Sequence, residues 1–187
     1  MTIVPVPELA EVEVYRRLAE QVVGRRIAEV VAPDAWYLKR GTTAEALAAA
    51  LTGATVAGTR RIGKLLIVDT DCAALGLRFG MSGRLLVDGH AAVDNLIYAS
   101  NRELEKFDRF GLRFAPPHGG DLRLRDSRRL GGVELEPVEA RLGPDALTVT
   151  PSALARALQS AAPLKARLMD QARLAGVGNL AADEALW

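Results

Sequence analysis

Strand signals and helix signals are segregated along this chain, and that order limits the fold more than any single motif. Short apolar or alternating runs occupy residues 27–31, 54–60, 65–69, 75–79, 85–87, 111–115 and 122–125, many bounded by Gly, Pro or Asp. Runs of that length between turn formers are the pattern of a meandering antiparallel sheet or sandwich. From Thr150 onward the pattern is helical only. Strands first and helices last argue an α+β chain in two domains, 1–136 and 137–187, with segment 136–144 as the linker.

Residues 7–23 read as the first helix. Pro7 sets φ at its start, Glu8 and Glu11 sit in the positive first turn, and Gly24 stops it. Val12, Tyr15, Leu18, Ala19 and Val22 form its apolar stripe. Thr42 and Glu45 form a capping box for a second helix ending near Gly53, and the polar stretch 90–105 reads as a surface loop. In the second half, Thr150 caps a helix with Pro151 at its first position. Pro163 opens another, with Leu164, Leu168 and Met169 on one face; Gly176 and Gly178 break the pattern, and Asn179 caps the last helix. A glycine-flanked helix N-terminus near a lysine is an anion site, and for a helix-turn-helix the commonest anion is nucleic-acid phosphate. Most such helix pairs, however, are packing units only.

The 187 residues are 49% hydrophobic and 25% charged, ordinary for a soluble protein with a real core. No apolar run reaches the length of a membrane span, and the N-terminus lacks a basic region followed by a hydrophobic stretch, so no membrane association is expected. Cys72 is the single cysteine, which excludes an intrachain disulfide or a cysteine-rich zinc site and fits the cytoplasm. His90 and His118 have no metal-ligand spacing to Asp or Glu, so no metal site is expected, and a Cys72–histidine catalytic pair has no support. The net charge of +1 is low for a DNA-binding protein. The cations cluster, however, at Arg60, Arg61 and Lys64, at Arg123, Arg125, Arg128 and Arg129, and at Lys165 and Arg167. A near-neutral chain can still present a basic groove.

Four segments in order carry a likeness. They are Pro7-Glu8-Leu9-Ala10-Glu11-Val12-Glu13, Gly80-Met81-Ser82-Gly83-Arg84, Arg125-Asp126-Ser127-Arg128-Arg129-Leu130-Gly131, and a terminal run from Leu164-Lys165 through Gly176-Val177-Gly178-Asn179 to Ala182-Asp183-Glu184. The set resembles the formamidopyrimidine-DNA glycosylase/endonuclease VIII family of DNA repair enzymes. The resemblance implies a β-sandwich with flanking helices, then a helix–two-turn–helix domain. It also implies a monomer at the nucleoid, acting on damaged double-stranded DNA: an N-glycosylase with abasic-site lyase activity that removes oxidised purines of the formamidopyrimidine and 8-oxoguanine type.

Residue roles follow from the same resemblance. Pro7 matches the nucleophile whose amine attacks the sugar C1′ and forms a Schiff base, and Glu8 the proton-shuttling glutamate. Lys64 matches a lysine that touches phosphate and assists elimination. Met81, Arg128 and Leu130 match residues that fill the gap left by the extruded nucleotide, Arg128 reading the opposite base. Lys165 and Asn179 match phosphate-gripping residues, and Arg109 stands near a position where histidine is frequent and can keep a phosphate contact.

The sequence also departs from the family. Leu130 stands where phenylalanine is more frequent, Ser127 where proline is, and Ala181 where tyrosine is. The family continues beyond the position of Trp187 to a four-cysteine zinc finger, so the helical domain is expected to be incomplete and no cofactor is expected in this chain. Met1 to Val6 precede Pro7, whose nitrogen is therefore an amide that forms no imine. Either translation begins later, the leader is trimmed, or the lyase step is lacking; the match beginning at Pro7 favours a misread start at Val6. The alternative is a non-catalytic protein that binds lesions or abasic sites on the same scaffold. A helix-turn-helix sequence reader is disfavoured, since it has no use for the Pro7-Glu8 start.

Overall fold

The computed structural model describes residues 6–93, Leu96 and 104–187. The leader from Met1 to Pro5 and most of the expected 90–105 loop lie outside the described residues. Within them, two antiparallel sheets account for the strand signals. One runs in the order β1 (Ile27–Val31), β7 (Asp108–Phe114), β8 (Asp121–Asp126), β5 (Gly83–Val87) and β6 (His90–Ala91). The other runs β2 (Val56–Ile62), β3 (Leu65–Thr70), β4 (Ala74–Arg78) and β9 (Gly132–Leu135). Leu66, Val68 and Leu77 of the second sheet meet Leu85, Val87, Phe110, Leu112, Leu122 and Leu124 of the first in one buried cluster. Burying each such side chain is worth roughly 1.5–3 kcal/mol.

Helix α1 (Leu9–Ala19) packs on β2, β3 and β5, so it spans both sheets. Leu65 to Val68 are buried without alternation, as in a strand covered on both faces: Leu66 and Val68 belong to the cluster that α1 joins, and Leu65 and Ile67 lie on the other face. The expected stripe Val12, Tyr15, Leu18, Ala19 and Val22 is the buried face. Tyr15 stacks on Phe79 at 4.5 Å and donates to the Gly83 carbonyl at 3.2 Å, tying α1 to the β4–β5 turn. Helix α2 (Ala44–Leu51) covers β1.

The C-terminal part contains α3 (Pro151–Ala157), α4 (Leu164–Met169) and α5 (Asn179–Leu186). It is docked on the strands by charge. Arg61, nearly buried, pairs with Glu13 at 3.1 Å and with Asp145, which also accepts from the Gly63 amide at 2.6 Å. Arg16, then Arg61, holds the Glu13 carboxyl down at about 2. Segment 136–144, expected as a linker, contains a 3₁₀ turn at Glu139–Arg141, and both oxygens of Glu139 meet Arg60 at 2.6 Å. The segment lies against β2 and is not an extended tether.

Several local expectations are corrected. The first helix starts at Leu9, with Glu8 as its cap residue, and ends in a 3₁₀ turn from Glu20 to Val22. Thr43, not Thr42, caps α2, because the Thr42 hydroxyl accepts from the Leu135 amide at 3.0 Å. Pro163 is the cap residue of α4, one position earlier than expected. Gly178, not Asn179, occupies the cap position of α5. Leu164 and Met169 of the expected apolar face remain exposed. Two strands were missed: β6, only two residues long, and β9, whose Gly131-Gly132 start reads as a turn.

Candidate active site

The site begins where α1 begins. Glu8 is buried, with its amide donating to Glu11 at 3.1 Å. Its carboxylate accepts from the amides of Gly178, Leu180 and Ala181, each at 3.1 Å, at the start of α5. Those donors point out of the positive end of a helix, where an anion is favoured. The anion site expected there for phosphate is therefore filled by the chain's own carboxylate, brought from the other end of the sequence.

Lys64 reaches the same place from a hairpin. Ile62 pairs with Leu65 across the two-residue turn Gly63-Lys64, and Gly63 takes the positive φ (58°) that such a turn requires. Burial pushes the Lys64 ammonium below its usual range, and Glu8 pulls it partly back. A Cβ added at Gly178 would lie 2.1 Å from Glu8 Oε1 and 2.5 Å from Lys64 Nζ, so only glycine lets α5 approach both groups.

The third part is a pair of turns held by one carboxylate. Asp126, with no exposed surface, accepts from the Ser82 hydroxyl and from the amides of Arg128 and Arg129 at 3.1 Å and Gly131 at 2.8 Å. It thereby fixes the 126–131 turn and ties it to the 80–83 turn. Gly80, at φ 57°, packs so closely on the Leu130 carbonyl that a Cβ there would clash at 2.5–2.7 Å. Met81 and Leu130 are left 39% and 48% exposed on the resulting rim. Replacing Asp126 with alanine orphans four buried or part-buried donors. The expected cost is on the order of 3 kcal/mol in thermal unfolding, with DNA binding lost at temperatures where the fold survives. A variant that melts with the parent would show that the turns do not depend on this residue.

Six of the nine expected site residues line one cavity of about 500 Å³: Pro7, Glu8, Lys64, Met81, Leu130 and Asn179. Arg109, Arg128 and Lys165 do not. Arg109 is braced beneath the rim, donating to the Asp126 carbonyl at 2.8 Å, 3.5 Å from Asp34, with Phe107 under its guanidinium. It is thus held by the chain's own groups and stands outside the cavity. Arg128 is exposed on the rim, whereas Arg129 pairs with Asp34. Lys165 pairs with Asp183, which also accepts from Asn179 Nδ2 at 3.2 Å, so one carboxylate holds both expected phosphate ligands.

Two polar lining residues lay outside the expected set. Arg78, at the end of β4, is held by buried Glu134 at 2.9 Å; an arginine two residues before Gly80 was a usable signal, but Glu134 is remote in sequence. Gln171 donates to the carbonyls of Met169 and Val177 and accepts from the Gly176 amide, closing the turn before α5. Among the described residues, no group of three or more His, Cys, Asp or Glu side chains could hold a metal ion, and no helix is long and apolar enough to cross a membrane.

Comparison with known proteins gives the family and the fold. Residues 6–133 match the model of the formamidopyrimidine-DNA glycosylase N-terminal domain. The chain is 37% identical over 195 residues to the formamidopyrimidine-DNA glycosylase of Salinispora arenicola, covering 97% of this chain and 64% of the relative. It is 38% identical over 203 residues to that of a Parafrankia species, covering 97% and 66%. The chain thus spans a little under two thirds of the length of these curated relatives. Among solved structures, Lactococcus lactis Fpg mutant G226P in complex with a Fapy-dG-containing DNA superimposes with a TM-score of 0.76 at 29% identity, over 97% of this chain and 66% of that one. The same protein bound to DNA with an abasic site gives 0.75 at 29%, over 96% and 66%. Family model, similarity along nearly all of this chain and a shared fold agree: the chain belongs to the formamidopyrimidine-DNA glycosylase family.

Proposed function

We propose that this chain is the lesion-recognising and base-removing part of a DNA glycosylase in base excision repair. Its substrate is an oxidised purine of the formamidopyrimidine or 8-oxoguanine type in duplex DNA, and an abasic-site lyase step follows base removal. The observation that carries the reading is the cavity itself. It gathers a proline, a carboxylate, a lysine and two exposed apolar side chains from segments spread between residues 7 and 179. Structural relatives bound to lesion-bearing DNA support the same substrate class.

In this reading the extruded nucleotide enters the cavity while Met81 and Leu130 occupy the gap it leaves, offsetting a few kcal/mol of lost stacking. A Pro7 amine attacks C1′; the new C–N bond forms as the bond to the base breaks, and the base departs with a proton. The C1′–O4′ bond then opens with a proton delivered to O4′, leaving an iminium at C1′ that makes the C2′ proton labile. Glu8 moves protons within the cavity, and loss of the C2′ proton then expels the 3′ phosphate, assisted by Lys64. In this sequence the Pro7 nitrogen is acylated by Val6, so that step requires its release. That amide favours a second reading, a protein that binds lesions or abasic sites without cutting.

Base release from a duplex carrying one formamidopyrimidine separates the two. A chain beginning at Pro7 is expected to release the base; binding without release by that form would establish the second reading. Phosphate contact by Lys165 is tested by salt. Lys165→Ala is expected to weaken binding to all duplexes alike and to flatten the salt dependence by roughly one contact. Asp183→Asn, which unties Lys165 and Asn179, is expected to tighten it. Unchanged salt dependence in both variants would remove Lys165 from the interface.

A further inference from the structure

Trp36 is 69% exposed, although tryptophan has most to gain from burial. It sits in a 3₁₀ turn, Ala35–Tyr37, built against the rim from both sides of Leu130. Before Leu130, Arg129 donates to Asp34. After it, Gly131 lies so close to Tyr37 that a Cβ would fall 2.4 Å from the hydroxyl, and Gly132 supports the stem of Lys39, 2.5 Å from such a Cβ. The Lys39 amide donates to the Val133 carbonyl at 2.8 Å, and its ammonium donates to the Trp36 carbonyl at 2.6 Å while standing 5.3 Å from the indole centroid. The indole is thus oriented by a cation rather than packed in the core.

Resting on the function proposed above, we propose that Trp36 and Lys39 form a nucleobase-stacking platform on the DNA-facing rim, taken up by the base left unpaired when a nucleotide is extruded. The occupant follows from the chemistry of the rim. Leu130 can wedge between bases but has no π-face to stack on one. Trp36, anchored through residues on both sides of Leu130, supplies that face. Lys39 stands over the indole, and Arg129, paired with Asp34, is in the contact that anchors its turn, so the platform carries positive charge as a phosphate backbone needs and an apolar protein partner does not. Stacking of this kind is sequence-tolerant, because every base presents a π-face.

The test uses the chain as it stands and a duplex containing a tetrahydrofuran abasic analogue. The sequence has two tryptophans, so in a Trp187→Phe variant all indole emission comes from Trp36. Adding the abasic duplex is expected to quench that emission more than adding the undamaged duplex of the same sequence. Trp36→Ala is expected to weaken binding to the abasic duplex by roughly tenfold, with a smaller effect on the undamaged one, and Trp36→Phe to restore most of the difference. Binding without quenching, or equal affinity of Trp36→Ala and parent, overturns the platform and leaves the function standing. No binding to either duplex overturns both.

Discussion

Borohydride is expected to trap no covalent DNA adduct with the chain as written, and to trap one once Pro7 is the first residue. The difference is one of bonding. Acylated by Val6, the Pro7 nitrogen has its lone pair delocalised into a carbonyl; released, it is a secondary amine, and N-terminal amines titrate near pH ~8, leaving a useful nucleophilic fraction at neutrality. An iminium on C1′ is reducible, whereas an amide nitrogen forms none. The expected contrast is therefore all-or-none, read as a shifted band on a denaturing gel. Trapping by the intact chain would sink the assignment of Pro7. Lys64 would be the first amine to suspect, since burial already lowers its proton affinity in the same cavity. Loss of that adduct in Lys64→Ala would identify it.

Gly178→Ala is expected to disable the site and loosen the docking of the C-terminal helices together. The added methyl falls within 2.1 Å of a Glu8 oxygen and 2.5 Å of the Lys64 nitrogen, distances that no side-chain carbon tolerates. Glu8 has to leave the start of α5, and the amides of Gly178, Leu180 and Ala181 lose their acceptor. Orphaned part-buried donors and the strain of an overpacked contact together cost on the order of 2–4 kcal/mol, a fall in Tm of roughly 5–15 °C for a domain of this size. Glu8→Gln is the companion variant. It keeps the shape and most of the hydrogen bonds, so it should lose base release while melting near the parent. A Gly178→Ala protein that melts within a degree of the parent would show that α5 is not held by Glu8.

Much of the architecture was legible. The apolar or alternating runs and turn residues of 27–31, 65–69 and 122–125 were enough to place β1, β3 and β8, because a strand's pattern is written in its own neighbours. The stripe of α1 was read in full for the same reason. Capping was read less well. Thr42 and Thr43 are equally good caps locally, and the choice between them was made by the Leu135 amide of β9. At α5, Asn179 looked like the cap until Glu8 took the amides it would have served. The bracing of Arg109 by Asp34 and the Asp126 carbonyl was not legible, because both partners are distant in sequence.

The sequence by itself determined the order of strands and helices, the family and the chemical types gathered for the site, since each is carried by local pattern or by ordered motifs. Only the tertiary structure decided which of those groups meet. Glu8 and Gly178 stand 170 positions apart, Ser82 and Asp126 44, and Arg78 and Glu134 56. Contacts at such separations leave no periodicity in the chain. They arise because burying a carboxylate or an arginine is tolerable only where the fold delivers a partner, and which partner arrives depends on how the two sheets and the terminal helices close on one another.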